Sequence, residues 1–126
     1  MYFPILRGRQ FELLALRECI NKKILSDRII PIIEPVKASS TYTKTIDAFI
    51  EAKHPIAVVR NPLVGSWIKD INKESNNSIK EKAIKQLGDD NVISSIYVTA
   101  QLDRDVSILA SRGIDLNALL LICNNP

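Results

Sequence analysis

Five short apolar runs rich in β-branched residues recur along this chain with helical patterns between them, and that rhythm restricts the fold more than any other feature. The runs begin near Tyr2, Ile29, Ile56, Ile93 and Leu119, at intervals of 27, 27, 37 and 26 residues. A strand followed by a covering helix fits such an interval, so the spacing implies right-handed βαβ crossovers and a parallel sheet. The run Ile29 to Ile33 is apolar at every position, so both faces of that strand must be buried, as in a parallel sheet covered by helices. Pro31 is awkward for a central strand, and Pro4 favours an edge position for the first one.

Between the runs the apolar period changes from strand-like to helical. From Gln10 to Ile24, Leu13, Leu16, Ile20 and Ile24 share one face, while Phe11, Leu14 and Ala15 fall on the other. A helix apolar on two sides is expected to be covered by more than its own sheet, by a neighbouring helix or a partner. Ala38-Ser39-Ser40-Thr41 supplies N-cap residues for a second helix with Ile46, Phe49 and Ile50 as its buried stripe. Val64, Trp67, Ile68 and Ile71 mark a short helix, with Ser66 as cap and Trp67 read as core rather than as a partner's anchor. Ser78 and Glu81 fit a capping box opening a helix that stops at Gly88. A last short helix is expected from Asp103 or Asp105 to Gly113, their carboxylates complementing its N-terminus.

The chain of 126 residues, 46% hydrophobic and 25% charged, reads as one globular α/β domain spanning 1–126. Its net charge of +3 is too small to signal nucleic acid unless the cations cluster. The longest unbroken apolar run, Ala118 to Cys123, is far short of the ~20 residues of a membrane helix. The N-terminal apolar stretch is likewise too short for a secretory signal. Cys19 and Cys123 lie far apart without metal-ligand spacing and read as reduced core or helix thiols of a cytosolic protein. A cytoplasmic protein without a membrane partner is therefore expected. No Gly-rich phosphate loop, nucleophile elbow or metal-ligand cluster is present, so neither cofactor nor metal is expected.

Two architectures satisfy five βα steps: an open doubly wound sheet, or the first part of a (β/α)8 barrel. A resemblance bears on the choice. The segments from Met1 to Leu16, from Ile29 to Lys37 and from Arg60 to Gly65 resemble the "beta protein" family of phages and bacteria, whose members look like (β/α) barrels. The resemblance covers the first half of the chain clearly and the remainder only in rhythm. Family members are about twice this length or more, which agrees with the roughly 250 residues of a full barrel, so the chain resembles an N-terminal portion. No reaction is established for the family; the resemblance implies a fold and no mechanism.

In either architecture ligands bind at the carboxyl ends of the strands. Those ends hold Arg7 and Arg9, Glu34 and Lys37, Arg60 and Asn61, Thr99 and Gln101, and Asn124. Four cations converging with one carboxylate would form a site for a phosphorylated or otherwise anionic ligand, the arginines supplying planar forks. The plainer reading pairs Glu34 with Arg60 or Arg7 and leaves the other charges solvated. Glu34 is also the candidate general base, as a carboxylate ending an apolar strand. His54 directly precedes the third strand and so lies at the opposite, stability face.

Three functions follow as expectations. The first is a binding or assembly module of phage or mobile-element type, associating with itself or a partner protein through exposed sheet edges. The second is a barrel enzyme acting on an anionic substrate, with Glu34 as base. The third is a nucleic-acid binder using the basic rim, for which aromatic interleaving is missing.

Overall fold

The computed structural model describes residues 1–63 and 65–123. The strands are β1 (Ile5–Gly8), β2 (Ile32–Pro35), β3 (Ile56–Val59), β4 (Val92–Tyr97) and β5 (Leu120–Ile122). The helices are α1 (Gln10–Asn21), α2 (Ser40–Glu51), α3 (Trp67–Ile71), α4 (Asn77–Leu87) and α5 (Leu102–Ser111). All strands are parallel, in the order β1-β2-β3-β4-β5. Each strand pairs with its successor and no step reverses direction. A doubly wound sheet needs a reversal at its switch point; successive order is that of a (β/α) barrel wall.

One face of the sheet is covered by helices. Leu13, Leu16 and Ile20 of α1, Tyr42, Ile46 and Phe49 of α2, and Ala83 of α4 pack on Ile33, Ile56, Val58 and Val92. Ser39 caps α2, its hydroxyl oxygen accepting from the Tyr42 N–H at 3.2 Å. The fully buried Thr45 hydroxyl lies 2.8 Å from the Thr41 carbonyl and 3.2 Å from that of Leu13, tying α2 to α1. Trp67 is half-buried against Tyr42, ring centroids 4.9 Å apart, as a core residue would be.

The other face carries a separate cluster, Ile32, Ala57, Val59, Tyr97 and Ile122, with Ile93 and Leu120 beside it. No helical residue belongs to it. Ala57, Val59 and Ser95 are nonetheless 0, 1 and 0% exposed, because the sheet curls until side chains from distant strands meet. Small residues at Ala57 and Ser95 leave room for that curl, and the Tyr97 side chain crosses over β3 to reach β2. We call this the inner face.

Several local expectations need correction. The run from Ile29 to Ile33 is not itself the second strand. Pairing in β2 begins at Ile32, while Ile29 makes only an isolated bridge with Tyr2. Pro31 lies just before it with no N–H to give, though its carbonyl accepts from the Ala57 N–H at 2.9 Å. The shift places Glu34 inside the strand rather than beyond its end. The Ser78–Glu81 capping box does not form, because a 3-10 turn at Glu74–Asn76 feeds α4 directly and the helix begins at Asn77. In α3 the buried residue is Asp70, and Ile68 is 60% exposed; Val64 lies outside the described residues. Cys123 is exposed at the end of β5, not a core thiol. Among the described residues no helix is long and apolar enough to cross a membrane.

Candidate functional site

The register of β1 on β2 makes Arg7 and Glu34 lateral neighbours, with Ile5 opposite Ile32 one layer below. Side chains alternate along a strand, so Arg7 and Glu34 share the inner face with the Ile32 cluster, and Leu6 and Ile33 turn to the helices. From the other side of the sheet β4 contributes Tyr97, and β5 contributes Ile122, which is its partner in the ladder. Ile5, Arg7, Glu34, Tyr97, Ile122 and Cys123 together line a cavity of about 240 Å³. It lies at the carboxyl ends of the strands, on the inner face, with the two edge strands as opposite walls.

Glu34 is its fixed element. It is 4% exposed. The Tyr97 hydroxyl donates to Oε1 at 2.8 Å and the Leu63 backbone N–H donates to Oε2 at 2.7 Å. Bonds to a charged acceptor are short and strong, and these two hold the carboxylate plane in one orientation from β4 and from the β3–α3 loop. The phenol of Tyr97 is pushed up to about 12, first by burial and then by the carboxylate it donates to, with Arg7 opposing. Tyr97 therefore stays a neutral donor throughout the physiological range.

The β3–α3 loop reaches Glu34 because Gly65 lets it turn. Gly65 has φ +79, and a Cβ there would lie 2.5 to 2.9 Å from Val36 atoms. Only glycine fits both the conformation and the approach. The next residue, Ser66, donates its N–H to the Val36 carbonyl at 2.9 Å, pinning the loop to the end of β2.

The other residues singled out in the sequence do not join Arg7 and Glu34. Arg9 and Lys37 line a different cleft, of about 400 Å³, between the start of α1 and the start of α2. Arg60 turns to the helix side, donates to the Ser94 hydroxyl at 3.0 Å and lies in a pocket with Asp105, Ile108 and Arg112. Burial and then the nearby Arg112 charge lower its pKa, with Tyr42 opposing. Asn61 is a strand clamp: its Oδ1 accepts from the Tyr97 N–H at 2.8 Å, and its Nδ2 donates to the Tyr97 carbonyl at 3.1 Å and to Asp105 at 3.2 Å. Thr99 caps a turn, accepting from the Gln101 N–H at 3.1 Å. Asn124 lies outside the described residues.

The expected rim of four cations is thus divided among three places, because alternation along β1 and β3 sends Arg7 and Arg60 to opposite faces. His54 is buried at the other end of β3, its ring nitrogens 2.9 and 3.1 Å from the Pro55 and Ser26 carbonyls, in edge contact with Phe49. Among the described residues no group of three His, Cys, Asp or Glu side chains could hold a metal ion.

Sequence reasoning missed Tyr97 and Cys123. A signal for Tyr97 existed: Ile93, Ser95 and Tyr97 are alternate residues of one strand, so the last of them had to share the face of the first. No family model, curated protein or solved structure matches this chain.

Proposed function

We propose that this chain is an assembly module that pairs with a second copy of itself through its two open sheet edges. The supporting observation is the position of its exposed large apolar side chains. At the β1 edge these are Tyr2 at 63%, Ile5 at 48% and Phe11 of α1 at 83%. At the β5 edge they are Leu121 at 50%, Leu116 at 43% and Ile108 of α5 at 38%. Among the described residues both edges are parallel strands that pair with no further strand, a ready template for another one. The second apolar face of α1, with Phe11 and Ala15 exposed, suits a helix from a neighbour.

A second copy fits these edges for two reasons. The β1 edge and the β5 edge have the polarity needed to continue the same successive parallel order from one chain into the next. Their charges are also complementary. Residues 1–28 hold six cations and three carboxylates, and residues 99–123 hold three carboxylates and two cations. Two such contacts made reciprocally close a ring of two copies, whereas one alone would propagate. The resemblance to the barrel-like phage and bacterial family adds only a fold to this reading.

Light scattering coupled to size exclusion tests it. The expected mass is twice that of one chain, falling to one chain in a Phe11→Glu, Leu121→Glu double variant that keeps its helical circular dichroism. A single-chain mass for the native sequence at all concentrations would rule the reading out.

A further inference from the structure

The cavity at Arg7 and Glu34 is lined by residues of a single chain. Its two charges have different settings. Glu34 is buried and fixed by Tyr97 and Leu63. Arg7 is exposed and makes no ion pair among the described residues, leaving its guanidinium available at the mouth of the cavity. Neighbouring strands are about 4.8 Å apart, and Arg7 and Glu34 are direct partners across that gap. The cavity therefore has no net charge but a steep change of sign across it.

This arrangement argues against the simple anion that the sequence suggested. An anion on Arg7 would also face the Glu34 carboxylate that lines the same cavity. A simple cation on Glu34 would be repelled by Arg7 in the same way. A ligand carrying both signs on neighbouring atoms meets neither penalty. An ionised carboxylate accepts at about four positions, so protein donors and a ligand N–H are compatible on Glu34. The cavity, about 240 Å³, is smaller than the 300 to 1,000 Å³ typical of drug-sized ligands.

We propose that the cavity lined by Arg7, Glu34, Tyr97 and Cys123 binds a small zwitterion of the α-amino acid class, with its carboxylate on the Arg7 guanidinium and its ammonium on Glu34. Ile5 and Ile122 form apolar walls for a short side chain, and Tyr97 keeps Glu34 oriented toward the ligand.

The test is a titration of the full chain with alanine, alaninamide and N-acetylalanine, followed by amide chemical shifts. The second ligand lacks the carboxylate and the third lacks the ammonium. Alanine is expected to bind and shift the Arg7, Glu34 and Tyr97 resonances, with each blocked analogue at least tenfold weaker. Arg7→Gln, an exposed change that leaves the fold intact, should weaken alanine at least tenfold. Glu34→Gln should abolish the preference for alanine over N-acetylalanine; should it fail to fold, the analogue series and Arg7→Gln still decide. N-acetylalanine binding as tightly as alanine would overturn the proposal in favour of an anion site. No saturation by any of the three at millimolar concentration, or no loss in Arg7→Gln, would overturn it outright. Running the titration on the Phe11→Glu, Leu121→Glu variant as well separates this result from that of self-association.

Discussion

The two faces of the sheet bury their residues by different means. On the helix side, large side chains such as Phe49, Ile33 and Ile56, each 0% exposed, interlock with α1, α2 and α4. On the inner side no helix packs among the described residues, and burial comes from curl, from small residues such as Ala57, and from the hydrogen bond that reaches from β4 to β2. The helix side is packed for stability. The inner side gives up apolar area for a polar layer of Arg7, Glu34 and Tyr97, and that layer is where the cavity opens.

Damage to the two faces should therefore be unequal. Phe49→Ala on the helix side should cost about 3–5 kcal/mol, the usual result of truncating a fully buried aromatic, read as a lowered urea midpoint at unchanged slope. Tyr97→Phe on the inner side should cost about 1–3 kcal/mol, because the buried Glu34 carboxylate loses a donor. A larger loss in Tyr97→Phe than in Phe49→Ala would invert the comparison.

The same variant has a pH signature. Because the folded pKa of Tyr97 is raised to about 12, its contribution is fully present below the unfolded value near 10. It is lost as pH rises toward 12, so Tyr97→Phe should blunt the alkaline fall in stability. Asp47 behaves in the opposite sense. Burial raises its pKa, but hydrogen bonds from Lys82 at 2.6 Å and Gln86 at 2.8 Å outweigh this and hold it below the usual range. Its contribution is present above the unfolded carboxylate value near 3.9 and is lost as pH falls through the folded one. Asp47→Asn should reduce the stability difference between pH 7 and pH 3 by a small amount, measured by urea melts. The smallest effect belongs to Arg7→Gln, within about 0.5 kcal/mol of the native protein, so that its consequence is confined to binding.

The order of strands was legible because each βα unit announced itself by a change of period, and right-handed crossovers leave few ways to join them. Glu34 and Arg7 were legible as residues near strand ends. What the sequence concealed was geometry across strands. Pairing of β2 continues past the apolar run to Pro35, so Glu34 lies within the strand, and only the register of β1 on β2 made Arg7 its neighbour. Alternation likewise sent Arg60 away from the site, which its place at a strand end could not reveal. Tyr97 entered the site from β4 because the sheet curls, and curl depends on the sizes of Ala57 and Ser95 together rather than on any one residue.

The most direct test of edge pairing is amide hydrogen exchange at the two outer strands as protein concentration is raised. The carbonyl of Ile122 is already taken by the Val98 N–H on the β4 side, so the Leu121 N–H points to the open edge, as does that of Ile5 on β1. Pairing between copies requires both amides to become protected with concentration, in step with a doubling of mass, and to lose that protection in the Phe11→Glu, Leu121→Glu variant. Exchange at the unprotected rate at every concentration, with the mass of a single chain, would contradict it.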